Sequence, residues 1–306
     1  MNWHLNINIL SKILKKQNIL EANFMSNIIN DWISIPEKDN NDSSYEAWFE
    51  EKVRGQLGWA KEILQQEHIE GDLDLSSIPI TDLGNLKSIT GNLDLGSTRI
   101  TDLGSLESVG GDLNLFGTPI TSLGSLKSVR TLNLFGTPIT NLGSSLESVN
   151  GSLILYRTPI TSLGSLKSVR CDLDLSKTPI TVLESLESVG GDLYFFNSSI
   201  TDLGSLKSVG GCLCLGKTPI KSLGSLKSVG TYLDLGYTHI TSLGSLEFVK
   251  DYICLYGSDV IDLGLLRSDT TLFVGKGSKL KVRKLPKSIR NRVKRIRGWN
   301  GLYEYY

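Results

Sequence analysis

The chain has 306 residues, balances 32 Lys and Arg against 32 Asp and Glu, and is 40% hydrophobic and 21% charged. Those proportions exclude a wholly disordered chain and leave room for a large core. Apolar runs of only a few residues exclude a bilayer span, which needs ~20, and four cysteines are too few for a disulfide framework.

The first ten residues, Met1 to Leu10, carry no basic start, no continuous apolar stretch and no small-residue cleavage site, so no Sec-type signal is read. The expected location is cytoplasmic or otherwise intracellular, with a virion or host-associated location as the alternative. Residues from about Asn6 to Ile33 have helical apolar spacing, and a polar link, Pro36 to Asp42, follows. A second helix is expected from Ser43, which with Glu46 fits a capping box. Tyr45, Trp48, Phe49, Val53, Leu57, Ala60, Ile63 and Leu64 mark its apolar face. Four of the five tryptophans, Trp3, Trp32, Trp48 and Trp59, fall in this region. Residues 1–70 therefore read as a helical N-terminal region that caps what comes next, with residues 1–35 as a separate partner-binding segment in the rival reading.

Between Gly71 and Thr270 one twenty-residue unit recurs ten times. No such unit buries its apolar face alone, so each must stack on its neighbours. With Gly71 as position one, Leu fills positions three and five, as in Leu113 and Leu115, or Leu173 and Leu175. That alternation predicts a short strand with both leucines inward and positions two, four and six outward. The later spacing of three, as in Leu163, Leu166 and Val169, predicts a tight 3₁₀ turn. In the fourth unit a residue is missing before Thr131 and a serine is added at Ser144-Ser145. The two changes cancel and keep the inward side chains inward. Position seventeen alternates Lys87, Glu107, Lys127, Glu147, Lys167 and Glu187, a pattern that discourages mispairing between near-identical coils.

A hydroxyl at position eight, as at Thr98, Thr118, Thr137, Thr158 and Thr178, suits the corner after each strand. This Leu-x-Leu-x-x-Thr-x-Ile pattern resembles the leucine-rich repeat family, whose units read Leu-x-x-Leu-x-Leu-x-x-Asn-x-Leu. Short bacterial internalin-like units are the nearest form, and Thr98 to Leu103 is the segment that compares with them. The departures are a unit of twenty rather than twenty-two residues and Thr in place of the ladder Asn. The expected fold is an α/β solenoid. A parallel β-sheet would line its concave face and tight turns or 3₁₀ turns its convex face, between a helical N-terminal cap and a basic helical C-terminal cap. Residues 71–270 form the array.

Residues 271–306 hold eleven Lys or Arg from Lys276 onward against one acid, Glu304, so a +10 tail balances a −10 body. Leu272, Val274, Leu280 and Val282 suggest closing strands, and Leu285, Ile289, Val293 and Ile296 trace a helical stripe. Arg290, Arg292, Lys294, Arg295 and Arg297 are the candidates for an anionic partner, nucleic acid or membrane lipid, against a reading as a solvated cap.

No chemistry is legible. Gly211-Cys-Leu-Cys-Leu-Gly-Lys-Thr218 matches a phosphate loop letter by letter, but its leucines are strand positions and Pro219 follows where a helix should start. Cys212 and Cys214 fall on the outward face two coils from Cys254, too far apart for one metal site. Three histidines offer no acid–base–nucleophile set. The chain reads as non-enzymatic, without cofactor, metal or small-molecule substrate. What stands out is an outward aromatic column at position six, Phe116, Phe135, Tyr156 and then Phe196, with Tyr194 and the acids Asp172, Asp174 and Asp192 nearby. Aromatic anchors beside charges suit a protein-binding centre; self-stacking of the rings is the alternative. The leading reading is a protein-interaction scaffold acting through the concave face. A virion or cell-surface attachment protein, and an anion binder acting through the basic tail, are the alternatives.

Overall fold

The computed structural model describes residues 43–267 and 269–297. The helix expected over 6–33 lies outside the described residues, as do the side chains of Tyr45, Trp48 and Phe49. Among the described residues the chain is a parallel β-solenoid of about eleven turns with few helices.

Twelve short strands, from Leu73–Asp74 to Val293–Arg295, follow in sequence order in one long parallel sheet. Residues twenty apart pair, Leu73 with Leu93 and Leu193 with Leu213. The Leu73 and Leu75 N–H groups donate to Asn92 and Asp94 carbonyls at 2.8 and 2.9 Å. Each coil then turns a corner at position seven, where Arg157, Lys177, Lys217 and Tyr237 all take positive φ. A second corner falls at position fourteen. Gly124 there has φ +54, and a Cβ would meet the Gly104 carbonyl oxygen at 2.5 Å, so any side chain is strained twice over. Asp102 or Ser122, two residues earlier, accepts the corner N–H of Gly104 or Gly124. The third corner is the junction between units.

On the side expected to be convex the tight turns are present, but extended strands rather than 3₁₀ segments follow them. Leu126 N–H donates to the Leu123 carbonyl in one tight turn, and the chain then extends into Ser128–Val129. Strands at these positions make two more parallel sheets. One has four strands, from His68–Ile69 to Ser128–Val129; the other has six, from Ser148–Val149 to Phe248–Val249. The physical reason lies in bonding between coils. Extended chain lets Lys127 N–H reach the Glu107 carbonyl at 2.8 Å, whereas a 3₁₀ turn bonds only within itself. Among the described residues Val282–Lys284 is the one 3₁₀ segment. The gap between the two shorter sheets falls at the unit with the extra serine. The long sheet crosses the same unit unbroken, because Leu132 pairs with both Leu113 and Leu153.

The inward leucines, isoleucines and valines form one continuous core. Phe195 takes a leucine slot and is fully buried. Position-eight hydroxyls donate back to the position-five carbonyl, Thr118 to Leu115 at 2.8 Å and Thr178 to Leu175 at 2.6 Å. Thr98 Oγ1 and Ser198 Oγ are buried without a partner.

Helix α1, Ser43–Ile63, lays Ala60 into the first end of the core beside Leu64, with Leu57 and Ile63 half-buried. At the other end the expected helical stripe is corrected. Only Lys287–Arg290 is α-helical, and Val293–Arg295 is a strand pairing with Leu272–Val274. The open edge of the long sheet offers backbone groups that an extended segment satisfies and a helix does not. The sheet thus runs past residue 270 into an eleventh turn. No helix of the described residues is long and apolar enough to cross a membrane.

Candidate functional site

The outward columns of the long sheet start from position four, where an Asp or Asn turns the corner. Asp94 Oδ1 accepts Gly96 N–H at 2.8 Å, Asn114 Oδ1 accepts Phe116 N–H at 3.1 Å and Asn133 Oδ1 accepts Phe135 N–H at 3.0 Å. The amides also chain from coil to coil, Asn114 Nδ2 to Asp94 and Asn133 Nδ2 to Asn114, both at 3.0 Å. Each such turn sets the position-six residue on the rim of the sheet.

On that rim Phe116, Phe135 and Tyr156 stack as rungs. Their centroids lie 5.1 and 5.2 Å apart, with interplanar angles of 26° and 11°. Such pairs are worth ~0.5–1.5 kcal/mol beyond their area. Lys177 Nζ stands 5.2 Å from the Tyr156 ring centroid and Arg157 5.4 Å. The Lys177 hydrogen bond leads in pulling the Tyr156 phenol below its ordinary value. The ladder is a rigid, half-exposed edge of aromatic carbon with two cations at one end.

The other expected site residues are woven into the fold. Asp172 Oδ1 accepts Asp192 N–H at 2.8 Å, and Asp192 Oδ1 accepts Cys212 N–H at 2.7 Å. Asp174 Oδ1 accepts Ser176 N–H at 2.8 Å. Tyr194 donates to Asp192 Oδ2 at 2.7 Å. Burial alone would raise the Asp192 carboxyl, but the bonds from Cys212 and Tyr194 outweigh it and hold the group low. Phe196 is half-buried two coils beyond Tyr156, with Ser176 at the equivalent place between them. The structure thus brings Phe116, Phe135 and Tyr156 together and keeps Phe196 apart.

Further along, the same columns close over. Cys212, Cys214 and Cys254 are on the outward face yet only 3, 4 and 0% exposed. Tyr232 and Tyr252 stack at 5.1 Å, and Tyr252 meets Phe273 edge-on at 5.0 Å. Cys212 and Cys214 sulfurs lie 3.8 Å apart, and Cys214 Sγ is 3.6 Å from Tyr232 Oη. The Cys212 hydrogen bond and then burial push the Cys214 thiol far up; burial does the same to Cys254. The described residues hold no group of three or more His, Cys, Asp or Glu able to bind a metal. Within the phosphate-loop match Leu213–Cys214 is a strand, and Thr218 donates to the Leu215 carbonyl at 2.6 Å. Lys217 Nζ lies 5.9 Å from the Tyr237 ring centroid. Sequence reading missed this lid, although tyrosines at position two of adjacent units were its signal.

The remaining faces are plainer. An open trough of about 600 Å³ runs over Ser148, Ser168, Ser188, Ser208 and Ser228 of the second sheet, with Arg170 its one charged lining residue. In the position-seventeen column Lys87, Lys127, Lys167 and Lys207 pair with Glu67, Glu107, Glu147 and Glu187 at 2.8, 2.7, 2.7 and 2.5 Å. In the last turn Arg290 Nη2 donates to the Leu285 carbonyl at 2.9 Å, and Arg292 donates to the Asp269 carbonyl. Lys294 lies over Phe273, and Arg295 and Arg297 are exposed.

No family model matches the chain, and no curated protein or solved structure is significantly similar to it.

Proposed function

We propose that this chain is a non-enzymatic interaction scaffold that holds a protein partner against the long sheet, centred on Phe116, Phe135 and Tyr156. The carrying observation is that pre-stacked, half-exposed ladder on a rim fixed by hydrogen-bonded corners. Rigid rings have little side-chain freedom left to lose on binding, which favours them as interface anchors. The resemblance of the repeat unit to leucine-rich repeats supports the same role, with α1 and the eleventh turn as end caps. The acids add less, because Asp172, Asp174 and Asp192 each use Oδ1 to accept a backbone N–H.

The test is replacement of Phe116, Phe135 and Tyr156 by Ala, followed by affinity capture and mass spectrometry. Loss of a specific partner, with the far-ultraviolet dichroism unchanged, is expected. A partner captured equally by both forms would move the binding face elsewhere.

One observation favours a second reading. All eleven Lys and Arg between Lys276 and Arg297 are exposed, an electrostatic footprint for an anionic partner such as nucleic acid or anionic lipid. Binding there would fall steeply with salt and would survive the triple alanine change.

A further inference from the structure

Each aromatic ladder among the described residues carries a lysine at one of its two ends. Lys177 covers Tyr156 at 5.2 Å, Lys217 covers Tyr237 at 5.9 Å and Lys294 covers Phe273 at 5.8 Å. In each case the lysine comes from an adjoining coil, as the ring quadrupole favours. Of the opposite ends, Tyr256 is 8% exposed and Tyr232 is half-buried against Cys214, which leaves Phe116 as the exposed one. It is the first rung of its ladder and 36% exposed, and among the described residues no cation lies over it. The coil before it carries Gly96 at the rung position, with no side chain to stack.

Glycine is not demanded there by backbone conformation, since Gly96 is not among the positive-φ residues. A Cβ would meet Asp94 Oδ1 at 3.1 Å and Asn114 Nδ2 at 3.2 Å, both side-chain atoms. The next coils accommodate Phe116 and Phe135 beside equivalent asparagines. A side chain at 96 therefore needs Asp94 Oδ1 and Asn114 Nδ2 to give by a few tenths of an ångström, and would then occupy the rung position next to Phe116.

The sheet columns around it carry acids, and the nearest base along the chain is Arg99, past the corner at position nine. Positions two, four, six and seven of the first four coils carry Asp72, Asp74, Asp94 and Asp112 and no base. Asp112 is neutralised by Arg130 at 2.7 Å. Asp74 and Asp94 use Oδ1 to accept Ser76 and Gly96 N–H, which leaves their charge in place beside the gap.

Building on the sheet-face reading above, we propose that the free face of Phe116, above Gly96 and beside Asp74 and Asp94, receives an arginine side chain from a basic segment of the partner protein. A guanidinium stacks flat on an aromatic ring while its fork meets carboxylate oxygens, which an ammonium does less well. The site is the mirror of the far end of the ladder, with the partner supplying what Lys177 supplies to Tyr156.

The experiment titrates the full chain with a fluorescein-labelled peptide of three arginines spaced by glycine and serine, and with its citrulline counterpart. Citrulline keeps the shape and removes the charge. The arginine peptide is expected to bind at least tenfold more tightly. Gly96→Phe, which extends the ladder into the gap, is expected to weaken it at least fivefold. Asp74→Asn with Asp94→Asn keeps both corners, as Asn114 and Asn133 already do, and is expected to weaken it comparably. Equal binding of the two peptides, or arginine binding unchanged in both variants, overturns the proposal. Should that happen while Phe135→Ala still abolishes partner capture, the sheet face stands and only its ligand is wrong; loss of both results sinks both readings.

Discussion

Coils one to five and coils seven to ten share one sheet and the same columns, yet present opposite surfaces. In the first stretch, coils three to five carry aromatic residues at position six that stand as rungs on the rim, with Phe116 36% exposed. In the second, Tyr232 and Tyr252 occupy position two and lie over thiols that are almost wholly buried. A ring at position two has strand neighbours on both sides and closes over them, whereas position six follows the corner and has the sheet on one side only. The neighbouring coil matters as well as the column, since Tyr256, also at position six, is 8% exposed with Tyr237 edge-on and the Gly275 backbone against its ring.

The sharpest way to break that contrast is from beneath. Phe195→Ala, under the closed stretch, is expected to cost ~3–5 kcal/mol in urea unfolding, and Phe195→Leu, which restores the usual residue, less than ~1.5 kcal/mol. Equal losses for the two would mean that the core there is not packed as described.

Smaller effects are expected at the corner hydroxyls. Thr118→Val removes one of the two hydrogen bonds to the Leu115 carbonyl, which keeps the residue-118 N–H, and is expected to cost ~0.5–1.5 kcal/mol, whereas Thr98→Val removes a buried hydroxyl with no partner and is expected to be neutral or stabilising. Matching melting temperatures would show that the threonine column contributes shape rather than bonding.

The smallest effect concerns Asp192 at the boundary between the stretches. Its folded carboxyl ionises below the ordinary 3.8, so the ionised form stabilises the native state above that value. The contribution disappears as pH falls through the lower folded value. Asp192→Asn is accordingly expected to melt below wild type at pH 6, with the gap narrowing toward pH 3. A gap that widens on acidification would reverse the assignment.

Much of the solenoid was readable before any coordinates. Leu113 and Leu115 point inward from a strand, and the indels at Thr131 and Ser144-Ser145 fall in corners. On the side expected to be convex the strands were missed because Leu163, Leu166 and Val169 satisfy a spacing of three in either geometry; the turn lies between the first two, and the last sits on a strand. Val293 was misread similarly, since a basic stripe at helical spacing carries no information about the open sheet edge beside it. Of the candidate site, the aromatic column was visible as letters. The internal bonding of Asp172, Asp174 and Asp192 was not, because the residue that donates to each carboxylate is fixed by coil-to-coil register and turn geometry.

By itself the sequence determined the period, the inward residues and therefore the stacking of coils, because a twenty-residue unit with so few apolar positions has no other way to bury them. Tertiary structure alone decided which outward rings meet, which thiols are covered and which carboxylates already serve a backbone N–H. Those outcomes depend on contacts across twenty residues of chain, where the identity of a neighbour matters as much as that of the residue itself.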